Sequence, residues 1–204
     1  MRSVLEFLLI ALVVTLTPGP ATANIVRVAI RDGRKAALGA TAGNSIAVLA
    51  WGALSAVGVS SLIVASQVAY LTLKIAGAVF LAYLGIRSII HARRNAETSI
   101  ADSPVRRTMD GWRGGLITGI ANPKLAVFFI ALFPQFLHRG DPVLPYSLAM
   151  AATVVAIDVI YFSVLAIVVE RARIVVKPKV RAAMERVSGA VMVGLGLRLA
   201  VESR

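Results

Sequence analysis

Long uncharged stretches separated by short, mostly basic ones set the pattern of this chain. Phe7 to Val26 carries no charge over twenty residues, the length of one bilayer-crossing helix. Arg27, Arg31, Arg34 and Lys35 close it in a tight turn around Asp32-Gly33. Ala36 to Leu73 is again uncharged but too long for one crossing. It divides near Ser60-Ser61 to Gln67 into a second span and a third that ends near Ile90. Lys74 then falls inside the third span, within reach of an interface by snorkelling. Residues 91–113 are polar and form the one long loop. Gly114 to Leu137 is the fourth span, and the turn His138-Arg139-Gly140-Asp141-Pro142 leads into a fifth, Val143 to Val169, whose only charge is Asp158. A basic connector from Glu170 to Arg186 precedes a sixth span that reaches about Val201. The pattern predicts an all-α, polytopic membrane protein of six transmembrane helices.

Two of these spans are interrupted. Thr17-Pro18-Gly19-Pro20 lies inside the first and Asn122-Pro123-Lys124 inside the fourth. A proline within a helix removes one backbone hydrogen bond and clashes with the preceding turn. In hydrocarbon the freed carbonyl finds no water, so such a break survives only against protein or a wet cavity. A pair of broken helices, each opening its own half of a chain, points to a transporter's binding site.

Composition agrees with a chain that is mostly membrane: 58% of its 204 residues are hydrophobic and the mean hydropathy is +0.81. Without cysteine there is no disulfide framework, thiol redox centre or thiolate metal site, and His91 and His138 stand apart near segment ends. The N-terminus lacks a basic lead-in followed by a small-residue cleavage site, so the first span is expected to be retained. A net charge of +12 does not imply nucleic acid, because the basic residues sit in connectors and form no face interleaved with aromatics. Connectors one, three and five, together with Arg87 just before the third, carry sixteen of the 22 Lys and Arg residues, the opposite side carries five, and Lys124 is the remaining one. By the positive-inside rule those three connectors face the cytoplasm and both termini lie outside.

The chain also repeats itself. Lys74-Ile75-Ala76-Gly77-Ala78-Val79 reads against Arg186-Val187-Ser188-Gly189-Ala190-Val191, and Leu84-Gly85-Ile86-Arg87 against Leu195-Gly196-Leu197-Arg198 with one gap. Each match closes a half of three crossings, so the halves must face opposite ways. This predicts two inverted three-helix repeats, residues 1–90 and 114–204, joined by a basic cytoplasmic loop at 91–113, with the site where the halves meet.

With Pro18-Gly19-Pro20, Asn122-Pro123-Lys124, Lys74-x-x-Gly77-Ala78 and the acid Asp158 in order, the chain resembles the lysine exporter (LysE/RhtB) family of bacterial amino-acid exporters over almost its whole length. The resemblance implies a compact six-helix protein of the bacterial plasma (inner) membrane. It also implies export of amino acids or related small metabolites by proton antiport. Phe80 stands where that family commonly has tyrosine.

The residues themselves suggest how such a substrate is held. An amino acid presents a carboxylate and an ammonium group. The break at Thr17, Pro18, Gly19 and Pro20 offers amides at a new helix N-terminus for the carboxylate, and freed carbonyls before it for the ammonium. Gly19 lets backbone approach a ligand. Thr15, Thr22, Asn24 and Asn44 add hydroxyl and amide groups, and Asn122, Pro123 and Lys124 supply the second half of the site. Lys124 and Asp158 are the deepest charges, each costing ~2.5–3.5 kcal/mol at mid-membrane on insertion scales. Asp158, too short to snorkel, is the candidate for the coupling proton; its competing reading is a structural hydrogen bond to Tyr161 or Asn44. Lys124 can pair with Asp158, hold a substrate carboxylate, or snorkel towards the cytoplasm.

Gly39-x-x-x-Gly43 and Gly115-x-x-x-Gly119 are small-residue faces for close packing, either within the chain or between subunits of a homodimer. Trp112 fits a cytoplasmic boundary and Trp51 the packed interior. A metal-ion exporter of the same architecture is the alternative, but it would want clustered His, Cys, Asp or Glu ligands. An enzyme would want a nucleophile with a base, or paired acids, and the spans offer neither. The expected partners are therefore the lipid bilayer and a small amino-acid substrate, with no cofactor and no nucleic acid.

Overall fold

The computed structural model describes residues 2–65, 67–94, 111–137, 142–172 and 178–201. No strand occurs among them. Helix α1 (Arg2–Leu16) stops at the first break, and α2 (Pro20–Ala65) starts with a proline at a position where a missing N–H costs nothing. Inside α2 the chain reverses at Gly33, whose φ of 79° is the left-handed conformation that glycine adopts freely. The Glu170 carboxylate braces this turn, accepting the Arg34 N–H at 3.1 Å. Helix α3 (Gln67–Arg94) follows, then α4 (Gly111–Ile120), α5 (Pro123–Val127), α6 (Val143–Ala172) and α7 (Pro178–Val201).

The sequence places α7 after a connector ending at Arg186. The structure starts that helix at Pro178, because proline opens a helix readily and the basic residues that follow continue it. Most of the loop at 91–113 and the turn at 138–141 lie outside the described residues, as does the side chain of Lys74. By length and composition, a stretch within Pro20–Gly58 and the helix Val143–Arg171 can each cross a membrane, and Gly111–Ile120 with Pro123–Phe136 makes a third if that 47° bent pair is one span. Val4–Leu16 and Ile75–Ile90 are shorter apolar helices.

The stretch from α4 to Phe136 is broken more thoroughly than one proline requires. After α5 the backbone widens into a π-helical turn, Phe128–Leu132, and then tightens into a 3-10 turn, Phe133–Phe136. The Phe133 N–H reaches back five residues to the Phe128 carbonyl. The next donor in that pattern would be Pro134, which has no N–H, so the Phe129 carbonyl is left over. Ser55 of α2 supplies the missing donor, its hydroxyl lying 2.6 Å away. Phe128, Phe129 and Phe133 pack with Phe7 of α1 into an aromatic cluster, with ring centroids 4.9–6.4 Å apart.

Two glycine seams set the helix pairing. The second half of α2 runs parallel to α4: a Cβ on Gly43 would fall on the Trp112 carbonyl, and one on Gly115 on the Ala40 carbonyl. The two small-residue motifs of the sequence thus face each other inside one chain. Helices α3 and α7 run antiparallel, with Gly85 against Gly189 and Gly196 against Ala78. Backbones this close exchange dispersion contacts that any side chain would wedge apart.

These pairings fix which connectors share an end. Gly111 at the start of α4 abuts Ala36, and Glu170 near the end of α6 meets Arg34. The first basic turn and the boundaries of the other two basic connectors therefore lie together at one end of the bundle. At the opposite end Arg198 of α7 approaches Glu6 of α1 at 4.0 Å.

Candidate functional site

Both helix breaks meet in the middle of the bundle. Pro18 cannot donate to the Val14 carbonyl, which loses its helical partner. Lys124 fills the gap: its ammonium donates to the carbonyls of Val14 at 2.8 Å and Thr17 at 2.7 Å. A cation there also suits the negative end of α1. The ammonium passes close to Gly19, where a Cβ would lie 3.4 Å from the Lys124 Nζ, an ordinary contact distance. Lys124 is 9% exposed, so it does not snorkel. The carbonyls that the sequence reading offers to a substrate's ammonium thus hold an ammonium of the protein's own.

The second break presents this lysine. Asn122 has extended backbone, and its side chain caps α5 by accepting the Lys124 N–H at 3.1 Å. Pro123 occupies the first helical position, where its missing N–H is harmless.

Asp158 approaches from α6. It accepts the Thr15 hydroxyl at 2.8 Å on one oxygen and the Asn44 amide at 3.0 Å on the other. Asn44 was one of two structural partners the sequence suggested; the other, Tyr161, instead lies tilted against Phe162 with centroids 5.1 Å apart. Because a carboxylate can only accept, the Asn44 NH₂ must face it. The Asn44 Oδ1 then turns towards Gly119, where it is buried without a hydrogen-bond partner.

Lys124, Asp158, Thr15, Asn44 and Asn122 line a single cavity, walled on its apolar side by residues including Phe128, Val154 and Phe162. It offers about 20 Å³ to the centre of a water-sized sphere, which is room for one water and no amino acid. Among the described residues no salt bridge joins Lys124 to Asp158; the hydrogen-bond partners of each are neutral. A second, smaller void lies on the other side of Lys124, against Leu81 of α3 and Met192 of α7. The lysine therefore stands between the α6 side and the α3–α7 side of the bundle.

Other expected site residues fall differently. Thr17 contributes its carbonyl to Lys124, while its hydroxyl donates back to Val13 at 2.5 Å. Pro18 and Gly19 are half-buried at the break, and Pro20 is exposed. Asn24 and Thr22 do not line the cavity. Phe80, on α3, is largely exposed beside Tyr83. The aromatic wall was not foreseen, and the signal available for it was Pro134, a second breaker eleven residues after Pro123.

Residues 12–203 match the model of the LysE type translocators. The chain belongs to that family. The relatives of this LysE type translocator include a homoserine/homoserine lactone efflux protein of Salmonella typhi, 29% identical over 95% of this chain and 94% of its own. An uncharacterised membrane protein of Vibrio cholerae is 29% identical over 96% and 95%, and one of Pseudomonas aeruginosa 31% identical over 92% and 89%. No solved structure matches the translocator significantly. Its broad role is that of a membrane efflux transporter.

Proposed function

We propose that this translocator exports amino acids or close derivatives from the cytoplasm in exchange for protons. One observation carries the reading. A buried ammonium and a buried carboxylate line one cavity where two broken helices meet, and each is held by neutral groups. Opposite charges lining one cavity suit a zwitterion, which brings one carboxylate and one ammonium of its own. The efflux relative named for homoserine and its lactone supports a substrate of this size and chemistry. The cavity's small volume fits a closed state that must open to load.

In this reading the halves are inverted three-helix repeats that span the bilayer six times. The antiparallel glycine seam between α3 and α7 supports that arrangement. The clustering of the basic connector boundaries at one end supports a cytoplasmic face there, with both termini outside. Alkaline phosphatase fused after Arg204 should then be active, and a fusion within Asn95 to Asp102 inactive. The reverse pattern would remove the orientation and the inverted repeat with it.

Transport itself is tested in vesicles containing the purified protein. An imposed pH gradient should drive a neutral amino acid against its own gradient, and a protonophore should stop it. Accumulation that ignores the pH gradient would exclude proton exchange, and no movement of any amino acid would exclude the substrate class.

A further inference from the structure

The carbonyls of Val14 and Thr17 form an acceptor pair that the sequence creates on purpose of chemistry rather than of helix formation. Pro18 withdraws the N–H that would normally serve Val14, and Lys124 crosses from the other half of the chain to replace it at 2.8 Å. The cation is therefore a tethered group in a place that an untethered ammonium would fit equally well. We propose that this carbonyl pair is a primary-ammonium subsite, closed by Lys124 in the state seen here and taken by the substrate's ammonium when Lys124 withdraws.

Three features of the geometry lead to this assignment. First, the pair binds an ammonium through two short hydrogen bonds to backbone, with no carboxylate involved, so it recognises N–H donors as much as charge. Second, no amino acid can enter the cavity beside Lys124 while it offers only about 20 Å³, so the lysine side chain is the natural piece to move. Third, Asp158 lines the same cavity near enough to feel the Lys124 charge but with only Thr15 and Asn44 as hydrogen-bond partners, which gives a displaced ammonium somewhere to go. Lys124 thus acts as a competitor built into the chain. It keeps the acceptors satisfied when no substrate is present, as a buried carbonyl in a membrane requires.

The proposal rests on the export reading only in naming a substrate as the displacing group; the test reads binding alone. Lys124→Ala deletes what amounts to n-propylammonium, so that ion is the probe. In detergent-purified protein, saturating propylammonium should raise the unfolding midpoint of Lys124→Ala by roughly 5 °C and leave wild type unmoved. Tetramethylammonium, which has the charge but no N–H, and n-propanol, which lacks the charge, should leave both proteins unmoved. Pro18→Ala in the Lys124→Ala background restores a donor for the Val14 carbonyl and should weaken propylammonium binding roughly tenfold or more.

Should Lys124→Ala fail to accumulate in membranes, propylammonium in the growth medium should restore its level, and Pro18→Ala should restore it without the amine. An equal response of wild type, an equal response to tetramethylammonium, or no response in either assay would overturn the subsite. Vesicle export that fails while propylammonium still binds would instead count against the transport reading.

Discussion

Asp158→Asn should leave a folded, membrane-inserted protein that binds substrate but no longer drives it uphill. The side chains are nearly isosteric, and the local hydrogen bonds can be kept. The Asn44 amide can still donate to the new carbonyl oxygen, and the Thr15 hydroxyl can turn to accept from the new NH₂. What disappears is the ability to take up and release a proton at that position. In vesicles with an imposed pH gradient, accumulation should fall to the background of empty vesicles, while exchange down a substrate gradient persists. Undiminished uphill transport would make Asp158 a structural link between α1, α2 and α6 and place the coupling elsewhere.

The largest effect on stability is expected at Gly43. A Cβ there would fall on the Trp112 carbonyl and lie 2.7 Å from the Leu116 nitrogen. Both are backbone atoms, so no rotamer change relieves the clash, and α2 and α4 must part. Gly43→Leu should cost about 3 kcal/mol or more and lower the unfolding midpoint by roughly 10 °C. Because Asn44 is the next residue, the separation would also draw its amide away from Asp158. Gly194→Leu is the control, since nothing lies within 4 Å of a Cβ at that glycine. Thermal unfolding of both purified variants decides the matter. Equal midpoints would mean the α2–α4 seam is not as close as described.

The same reasoning shows why Lys124 tolerates burial. Alone in hydrocarbon it would be expensive. Here it takes acceptors that Pro18 has already stripped of a donor, so the cost of a buried cation and the cost of an orphaned carbonyl offset each other. Each break makes the other tolerable, and the pair works as one element.

Some of this was legible along the chain. The uncharged runs gave the helical class, because a backbone in lipid must bond to itself within each segment. The prolines at 18, 20 and 123 marked the breaks, since a missing N–H is a local property of one residue. Lys124 and Asp158 stood out because charge is rare in such stretches. Asp32-Gly33 gave the turn, borne out by a φ of 79° that glycine adopts without strain. Local chemistry, in short, announces where a helix must fail and which groups are costly.

What each costly group bonds to was decided only in three dimensions. The sequence left Lys124 three options, and the structure chose a fourth partner, the carbonyls of Val14 and Thr17, more than a hundred residues away. The pairing of Asp158 with Thr15 and Asn44 likewise spans 143 and 114 residues. The start of α7 at Pro178 and the π turn at Phe128–Leu132 were missed as well. That turn depends on Ser55 of another helix to satisfy the Phe129 carbonyl. An orphaned carbonyl is written in the sequence by a proline, but its replacement donor is whichever side chain the glycine seams bring within about 3 Å.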